Sequence, residues 1–266
     1  MGTRTMFAIV LTSVPVVAAL LGPLLAGWVH AGEGGPYARQ PGHLLGTDAL
    51  GHDVLTATLR GGRTLLVTSL AATLLAYVVG GSAGLLAAAS RWRGVESLVF
   101  RPLDVVGAIP TLLLLSVAAV WARAEPAVMA LVVALAYAPR AARLVHASAL
   151  EAAAGLVVEA MRQQRESWIR IYVGYVGRSV LRPALSDMGT RLTGATYLIA
   201  SATFLGLGLA PTEPDWAVAI ATNQAGLMLQ PWTVLAPTGM IVSFVVGVNL
   251  LTDTLVSTNT GQGQLP

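Results

Sequence analysis

The sequence predicts an all-α, polytopic membrane protein with six transmembrane helices, and three observations support this fold class. First, the 266 residues are 55% hydrophobic and only 11% charged, with a mean hydropathy of +0.70. Soluble domains carry about 25% charged residues, so these charges are too few to cover a soluble surface of this size. Second, six apolar segments approach the length of about 20 residues that a span requires. Third, the arginines are concentrated in alternate connecting segments.

The six predicted spans follow one another along the chain. They cover residues 6–29, 65–89, 103–121, 126–150, 192–209 and 234–251. Gly80 and Gly84 in the second span form a small-xxx-small pair, which favours close approach of another helix. Pro110 should kink the third span, because proline leaves a carbonyl without its usual donor. Pro139-Arg140 and Arg143 interrupt the fourth span, so its last turns should project into water.

The placement of arginine predicts the orientation, since all sixteen basic residues are arginine. If the N-terminus is cytoplasmic, the outside carries only Arg39, Arg60, Arg63 and Arg123. The inside then carries Arg4, Arg91, Arg93, Arg101, Arg140, Arg143, Arg162, Arg165, Arg170, Arg178, Arg182 and Arg191. Because cytoplasmic loops are enriched in basic residues, both termini are expected in the cytoplasm, with the chain crossing the cell (cytoplasmic) membrane several times.

A cleaved signal peptide is the alternative interpretation of the first span. Arg4 supplies a charged start, and Val29-His30-Ala31 resembles a small-x-small cleavage site. The apolar run is longer than the usual core of about 7–15 residues, however, and its loss would leave an odd number of crossings. A retained first helix is therefore preferred.

The residue types that are missing exclude several kinds of chemistry. Without lysine the chain has no Walker A loop and no lysine Schiff base, and without cysteine it has no disulfide or thiolate metal site. Asp104 and Arg191 fall near predicted inner ends of spans, and Asp253 follows the last span, so no carboxylate is expected at mid-bilayer. This placement argues against self-powered transport, because ion-coupled carriers commonly use intramembrane carboxylates. No cofactor is expected in this chain.

The first outer loop should contain a short helix that lies along the membrane surface. Thr47 or Asp48 would cap this helix, which would run to about Arg60 before Gly61 and Gly62 stop it. A divalent-metal site is the bolder interpretation, since oxygen and imidazole ligands suit such ions, and its ligands would be His43, Asp48, His52 and Asp53. Their spacing matches no specific metal motif, so capping and surface packing are preferred.

The inner loop between the fourth and fifth spans is the longest polar segment. Residues 156–166 should form a short helix, and the polar residues on one side of it are Glu159, Arg162, Gln163 and Glu166. Since spans flank this loop, it should lie in water on one face of the bilayer. Spacing alone leaves two interpretations open, namely a handle that a soluble partner grips or an ordinary solvated connector.

Three regions carry patterns that go beyond hydropathy. Residues 43–54 read HLLGTDALGHDV and are followed by GGRTL at 61–65, and the motif residues in the first stretch are Gly46, Thr47, Asp48, Gly51 and Asp53. A second stretch begins FLGLG, and its motif residues are Phe204, Gly206, Gly208, Pro214 and Trp216. The third region is Glu159-Ala160 in the inner loop.

Together these regions resemble the permease subunits of ABC importers for dipeptides, oligopeptides and nickel, specifically the C-type partner of the pair. The first stretch is similar to the signatures LGTDxLGRDV and GARxSL, the second to the FLGLG stretch, and the third takes the place of the EAA coupling loop. The likeness is incomplete where His52 replaces arginine, Met161 replaces alanine, Arg165 replaces glycine, and Gly177-Arg178 replaces Leu-Pro. Arginine in place of glycine is expected to alter the angle at which the short helix leaves the loop.

The resemblance implies a type I ABC importer permease within a heteromeric transporter. Residues 1–30 would form the first transmembrane helix, 31–63 an extracytoplasmic loop with the interfacial helix, and 64–266 a core permease domain with five transmembrane helices and a cytoplasmic coupling loop at about 151–183. A second permease, two ATPase subunits that bind ATP and Mg²⁺, and an extracytoplasmic binding protein would complete the complex. Lipid would surround the spans, and nucleic acid is not an expected partner.

In such a complex the chain would form half of the pathway for dipeptides or oligopeptides and would itself perform no chemistry. The residues that the resemblance implies for ATPase coupling are Glu159, Ala160, Arg162, Gln163, Arg165 and Glu166. Import of nickel, haem or another small solute is the alternative within the family. A self-contained secondary carrier or channel is a different class, as is a membrane-embedded enzyme, for which the sequence offers no cluster of catalytic residues.

Overall fold

A computed structural model of the chain describes residues 3–28, 32, 34–90, 92–122 and 125–260. Within these ranges the structure is helical and has no strand beyond one isolated bridge between Thr47 and Asp53, so the all-α prediction is confirmed. The α-helices in chain order are α1 Thr3–Leu25, α2 Val54–Arg60, α3 Arg63–Ala76, α4 Ser82–Ala89, α5 Arg93–Ala108, α6 Thr111–Ala122, α7 Pro126–Ala153, α8 Leu156–Gln163, α9 Gly177–Phe204, α10 Trp216–Asn223 and α11 Trp232–Thr260. Short turns of other helix types are π-helical at Tyr77–Gly81 and Arg170–Val176 and 3₁₀ at Gln224–Gly226.

Four stretches in the described part of the chain are long and apolar enough to cross a membrane. They are Thr3–Leu25, Val54–Ala89, Pro126–Ala153 and Trp232–Thr254, and the bent pair Gly94–Ala108 and Thr111–Trp121 makes a fifth if it is one broken span. The helix α9 overlaps the predicted fifth span only at residues 192–204, and Asp187 and Arg191 shorten its uninterrupted apolar part. By length and composition the predicted count of six spans is therefore not confirmed.

Proline has different effects in the third and fourth predicted spans. At Pro110 the helix breaks, and α5 and α6 meet at 81°, which is a sharper bend than a kink. Pro139 instead lies inside the continuous helix α7, so a break in the helix at Pro139 and Arg140 is wrong, while projection of its last turns into water stays a prediction. Pro139 is buried and packs beside Gly107 of α5, and neighbouring helices allow a membrane helix to continue through a proline.

The core consists of two clusters that share α7. The larger cluster joins α3, α7 and α9 with α10, and its largest buried side chains include Leu65, Met129, Ile199 and Trp216. The smaller cluster lies around the predicted coupling loop and includes Val145, Ala149, Val158, Val176 and Val180. Because α7 contributes to both, it connects the outer motifs with the inner loop.

The first helix lies along the last one. Ser243 Oγ donates a hydrogen bond to the Leu11 carbonyl at 2.8 Å, and Gly247 meets the backbone of α1 directly. A Cβ added at Gly247 would approach the Thr12 nitrogen to 2.6 Å, so only glycine allows this contact. The alternative cleavage site at Val29-His30-Ala31 lies outside the described residues, as do Arg91 and Arg123.

The small-xxx-small pair of the second span meets the backbone of α7. A Cβ added at Gly80 would lie 2.2 Å from the Ala138 carbonyl oxygen, and one added at Gly84 would lie 2.2 Å from the Ala142 carbonyl oxygen. Such distances are below any van der Waals contact, so the two helices are in backbone contact. The predicted close approach is confirmed, and it follows from the absence of side chains at these positions.

We expect Gly80→Ala to lower the free energy of unfolding by about 1–3 kcal/mol, because the new methyl group must push α7 away. Gly81→Ala is the matched control, since its Cβ would meet only the Val145 methyl at an ordinary 3.5 Å and should change stability by less than about 1 kcal/mol. The midpoint of thermal unfolding of the purified transporter measures both. Equal midpoints for the two variants would contradict backbone contact at Gly80.

Candidate functional site

The predicted coupling segment is a short helix, α8, with one anchored side and one uncovered side. Val158 is fully buried and packs with Val145 and Ala149 of α7 in the smaller cluster. Leu156 is 89% exposed and Val157 is 48% exposed, so apolar surface at the start of α8 is left without a cover. The buried side fixes the helix to the membrane domain, and the exposed side is available to another chain.

Polar side chains occupy the rest of the exposed surface of α8. The Gln163 Nε2 donates to the Glu159 carboxylate at 3.5 Å, one helical turn apart. Arg162 reaches beyond the helix, and its Nη2 donates to the Tyr172 hydroxyl at 3.2 Å. Ala160 is also exposed. Exposed contacts of this kind add little to stability, so these side chains remain free to exchange partners.

The chain leaves α8 through a turn that favours glycine. Arg165 has φ +55°, and its N–H donates to the Arg162 carbonyl at 3.0 Å, while the Glu166 N–H donates to the Met161 carbonyl at 3.0 Å. This pattern is a Schellman motif, and Arg165 occupies its left-handed position, where a Cβ is strained. The structure thus accounts for the glycine that the resemblance expects here. Glu166 follows the turn and pairs with Arg170 at 2.9 Å, so it does not share the exposed side of α8 as predicted.

The loop after α8 is tied to the inner end of the second span. The Trp168 Nε1–H donates to the carbonyl of Ala89, the last residue of α4, at 3.1 Å. Carbonyls at a helix C-terminus have no partner within the helix, so the indole satisfies one of them. The rings of Trp168 and Tyr172 lie 5.5 Å apart, which holds the indole in place.

The outer motif residues build their own loop through hydrogen bonds and tight backbone turns. The buried Thr47 Oγ1 donates to the Gly35 carbonyl at 2.5 Å and accepts from the Ala38 N–H at 2.8 Å. Gly46 and Gly51 have φ of +76° and +85°, and a Cβ on Gly51 would lie 2.2 Å from the Gly34 carbonyl oxygen. These positions therefore require glycine for two reasons, conformation and space.

Asp53 caps α2, which corrects the prediction that Thr47 or Asp48 does so. The Asp53 Oδ1 accepts from the Thr56 N–H at 2.7 Å, and Thr47 is already engaged within the loop. The Asp48 Oδ1 instead accepts the N–H groups of Leu50 and His52, both at 2.8 Å. Each carboxylate thus organises a different turn.

The four candidate metal ligands separate into two pairs. His43 Nδ1 lies 3.1 Å from the buried Asp53 carboxylate, and His52 Nδ1 lies 3.4 Å from Asp48. Among the described residues, no group of three or more histidine or acidic side chains is arranged to hold a metal ion. The pairs are explained by loop packing and helix capping.

The second motif begins at the outer end of α9 and ends at the start of α10. Phe204 is the last residue of α9, Gly206 turns the chain with φ +75°, and Gly208 packs on Thr203, where a Cβ would lie 2.1 Å from Oγ1. Pro214 then leads into Trp216, the first residue of α10. The motif is a tight turn that places the Trp216 side chain in the core.

Trp216 joins the two motifs. Its indole is fully buried, and Nε1–H donates to the Thr58 carbonyl of α2 at 2.7 Å. Gly61 and Gly62 lie against the ring, and a Cβ at Gly62 would come within 2.4 Å of it. The turn between α2 and α3 is therefore shaped around this side chain.

Asp215 adds a second connection beside Trp216. One carboxylate oxygen accepts from the Ala217 N–H at 2.9 Å, which caps α10, and the other accepts from the Leu65 N–H of α3 at 3.0 Å. Burial raises the pKa of the Asp215 carboxyl above its ordinary value, and the N–H donors oppose that rise. Two helix N-termini thus meet at one buried carboxylate.

One polar cluster was missed by the sequence analysis. Asp187 pairs with Arg191 one turn along α9, and Arg191 Nε lies 2.9 Å from Asp187 Oδ2. The Asp187 carboxylate also accepts a hydrogen bond from the Tyr77 hydroxyl. Tyr77 lies near the middle of the helical stretch from Arg63 to Ala89, so Arg191 packs beside the middle of that stretch. The sequence signal for this cluster is an aspartate followed by an arginine at i+4, just before an apolar run.

Comparison with known proteins identifies a matching protein family and several similar permease proteins. Residues 80–258 match a family described as binding-protein-dependent transport system inner membrane component. A putative peptide transport system permease protein of Brucella suis is 30% identical over 256 residues, covering 93% of this chain and 84% of the relative. The di/tripeptide transport system permease protein DppC of Pseudomonas aeruginosa is 30% identical over 86% of this chain and 73% of its own length. The dipeptide transport system permease protein DppC of Alkalihalophilus pseudofirmus is 29% identical, with coverage of 93% and 82%.

We expect Trp216→Phe to lower the free energy of unfolding by about 1–3 kcal/mol, because the buried Thr58 carbonyl loses its donor. Trp92→Phe is the matched control, since Trp92 is 80% exposed. Its replacement should change the free energy of unfolding by less than about 0.5 kcal/mol. Thermal unfolding of the purified transporter measures both variants. A Trp216→Phe protein as stable as the control would refute the connecting role of the indole.

Replacing Arg165 by glycine should raise the free energy of unfolding of the coupling loop by about 1 kcal/mol, because the left-handed strain is removed. Gln164→Gly is the control on the neighbouring residue, whose φ of −78° is ordinary, and it should lower stability by about 0.5–1 kcal/mol. Amide hydrogen exchange across residues 156–166 reports local opening of the loop. The prediction fails if both glycine variants loosen the loop equally.

Proposed function

Because this chain belongs to the family of binding-protein-dependent transport system inner membrane components, we propose that it is the permease subunit of an ATP-driven importer of dipeptides or oligopeptides. Relatives named as peptide, dipeptide and di/tripeptide permease proteins support this cargo. Their similarity extends over most of this chain, including the outer motifs and the inner loop. Nickel, haem or another small solute is not favoured as cargo, since no name among these relatives points to one.

The observation that carries the proposal is the construction of α8. Val158 anchors the helix from behind, whereas Leu156, Val157 and the polar side chains face outward. A groove on an ATPase subunit would cover the apolar start of α8 and exchange contacts with Glu159, Arg162 and Gln163. The left-handed turn at Arg165 would then define where the docked helix ends.

The proposed assembly contains a second permease, two ATPase subunits and an extracytoplasmic binding protein. The ATPases would bind ATP and Mg²⁺, and this chain would supply the path and no chemistry of its own. Closure of the ATPases would move α8 and rock the attached spans between inward- and outward-facing states. A self-contained secondary carrier is disfavoured, because the family is defined by dependence on a binding protein.

The orientation proposed for this assembly places α8 in the cytoplasm and the two motifs outside. The described arginines divide accordingly, with Arg162 and Arg165 on the α8 side and Arg60 and Arg63 beside the outer motifs. An excess of arginine on the α8 side is what the positive-inside rule requires. Leu44, which is 83% exposed, would face the exterior together with the outer loop.

We expect Leu156→Asp to abolish retention of the ATPase subunits during purification and to abolish ATP-dependent dipeptide uptake in proteoliposomes. A buried carboxylate in the docking groove would have no partner, and such a penalty is about 1–3 kcal/mol or more. Insertion of the chain in the membrane should be unchanged, because Leu156 makes no core contact.

Leu44→Asp is the matched control, since it introduces the same charge at an equally exposed leucine on the opposite face. This variant should retain the ATPases. If Leu156→Asp also retains them and transports normally, α8 is not the coupling helix. If the unsubstituted chain imports dipeptide alone, without ATPase subunits, the proposed function is wrong.

A further inference from the structure

The second span carries a tyrosine at its middle. The helical stretch from Arg63 to Ala89 contains Tyr77 in its π-helical turn. At a rise of about 1.5 Å per residue, Tyr77 lies roughly 20 Å from either end. A hydrocarbon core about 30 Å thick therefore places its side chain near the centre of the membrane. Turns of π-helix are frequent at functional sites.

A charged pair lies at the same depth. The Tyr77 hydroxyl donates to Asp187, and Arg191 contacts both oxygens of the same carboxylate, with Nε at 2.9 Å and Nη2 at 3.2 Å. The side chains of Asp187 and Arg191 are 23% and 21% exposed on this chain. A fifth of each charged group is thus uncovered at mid-membrane. Charged groups at this depth do not face lipid, so the uncovered side faces water or protein.

The surface of α9 beside Asp187 is polar as well, since Thr190 follows Asp187 at i+3 and lies on the neighbouring part of the helix surface. Residues at spacings of three, four and seven form a column of exposed or half-buried polar side chains, which are Ser179, Arg182, Ser186, Thr190 and Tyr197. Another side of α9 is apolar and exposed, with Leu181 at 56% and Leu185 at 63%. A helix with one polar and one apolar exposed side has water on the first and lipid on the second.

The packing of α9 shows where the polar column lies. On one side Asp187 meets Tyr77, and Gly194 contacts the hydroxyl of Tyr137, where a Cβ would lie 2.6 Å away. On another side Gly189 meets Thr252 of α11. By helical spacing the column lies between these two packed sides and is left open. Thr190 and Tyr197 of the column are exposed, and Ser186 is half-buried.

We propose that the Tyr77–Asp187–Arg191 cluster and the polar column of α9 form a mid-membrane binding site in the translocation pathway, where a zwitterionic peptide is held by its two ends. Arg191 would receive the terminal carboxylate and Asp187 the terminal ammonium. Each charge would exchange an internal partner for one on the cargo. The tyrosine hydroxyl and the threonine hydroxyl of the column can follow either arrangement, because a hydroxyl both donates and accepts.

This site rests on the proposed function, because it takes a peptide as its ligand. The paired state in the structure suits an empty site, since neither charge is left alone in a medium of low dielectric constant. A solute that carries both charges replaces that pair at little electrostatic cost. A solute with one charge or none would leave Asp187 or Arg191 without a partner, which disfavours its entry.

The absence of cysteine in this chain makes the site testable by single substitutions in the complete transporter. We expect Ser186→Cys and Thr190→Cys to react with a charged, membrane-impermeant thiol reagent that is supplied on both faces of membrane vesicles. Leu185→Cys is the control, since Leu185 is 63% exposed on the apolar side, at least as exposed as the half-buried Ser186, and should stay unmodified. Failure of both column cysteines to react, or equal reaction at Leu185→Cys, would overturn the proposal.

Ligand binding is tested by protection of the same cysteine. Dialanine, supplied with binding protein and ATP, should slow modification of Thr190→Cys, and N-acetyl-dialanine amide, which lacks both charges, should not. Adding Arg191→Gln should remove the protection, and Arg191→Lys should restore part of it. Protection that persists with Arg191→Gln would reduce the charged pair to a structural role and overturn the site.

Import by the unsubstituted transporter is measured in parallel. If that transporter imports dialanine and the column cysteines stay unreactive, the site is wrong while the proposed function stands. If it imports no dialanine and another solute protects Thr190→Cys, the peptide cargo is wrong, and with it the identity of the ligand. The two failures are therefore distinguishable.

Discussion

The backbone contact between the second span and α7 is the constraint on which the other features depend. Gly80 and Gly84 bring the span against the carbonyls of Ala138 and Ala142, and no side chain separates them. In a membrane, where apolar side chains gain nothing by leaving lipid, such close packing provides much of the attraction between helices. The contact holds the π-helical turn that contains Tyr77 against α7, and the last turns of α7 pack on α8. Both ends of the molecule are therefore attached to the same pair of closely packed helices.

The outer motifs and the inner loop use different devices to attach to this pair. At the motifs, the buried Trp216 and Asp215 connect α2, α3 and α10 through one indole and one carboxylate. At the predicted coupling loop, Val158 packs α8 onto the smaller cluster, and the Trp168 indole donates to the last carbonyl of α4. The outer connection is fully buried and therefore fixed, whereas most of α8 remains exposed. Such a difference is suited to a subunit that is held on one face and moved from the other.

Composition and local pattern were sufficient to predict the membrane character, the all-helical fold, the short helix α8 and the close approach at Gly80. Each depends on neighbouring residues in the sequence. The cap of α2 was assigned wrongly because Thr47 is consumed by hydrogen bonds to Gly35 and Ala38, which only the folded loop brings near. Continuity at Pro139 depends on the helices packed around it. The contact between Tyr77 and Asp187 spans 110 positions of the chain, so no local pattern could place them together.

The hydrogen bond from Trp168 to Ala89 has a mechanical consequence. Ala89 ends the helical stretch that carries Tyr77 about 18 Å away along its axis, at 1.5 Å per residue. Tilting α8 and the loop after it would pull on the Ala89 end of this stretch. The stretch would then pivot near Gly80 and Gly84, where it contacts α7. Movement of the proposed ATPase subunits would then reach the Tyr77 hydroxyl beside Asp187 through a single helical stretch. Cargo binding and ATP hydrolysis would thus be coupled through one moving element.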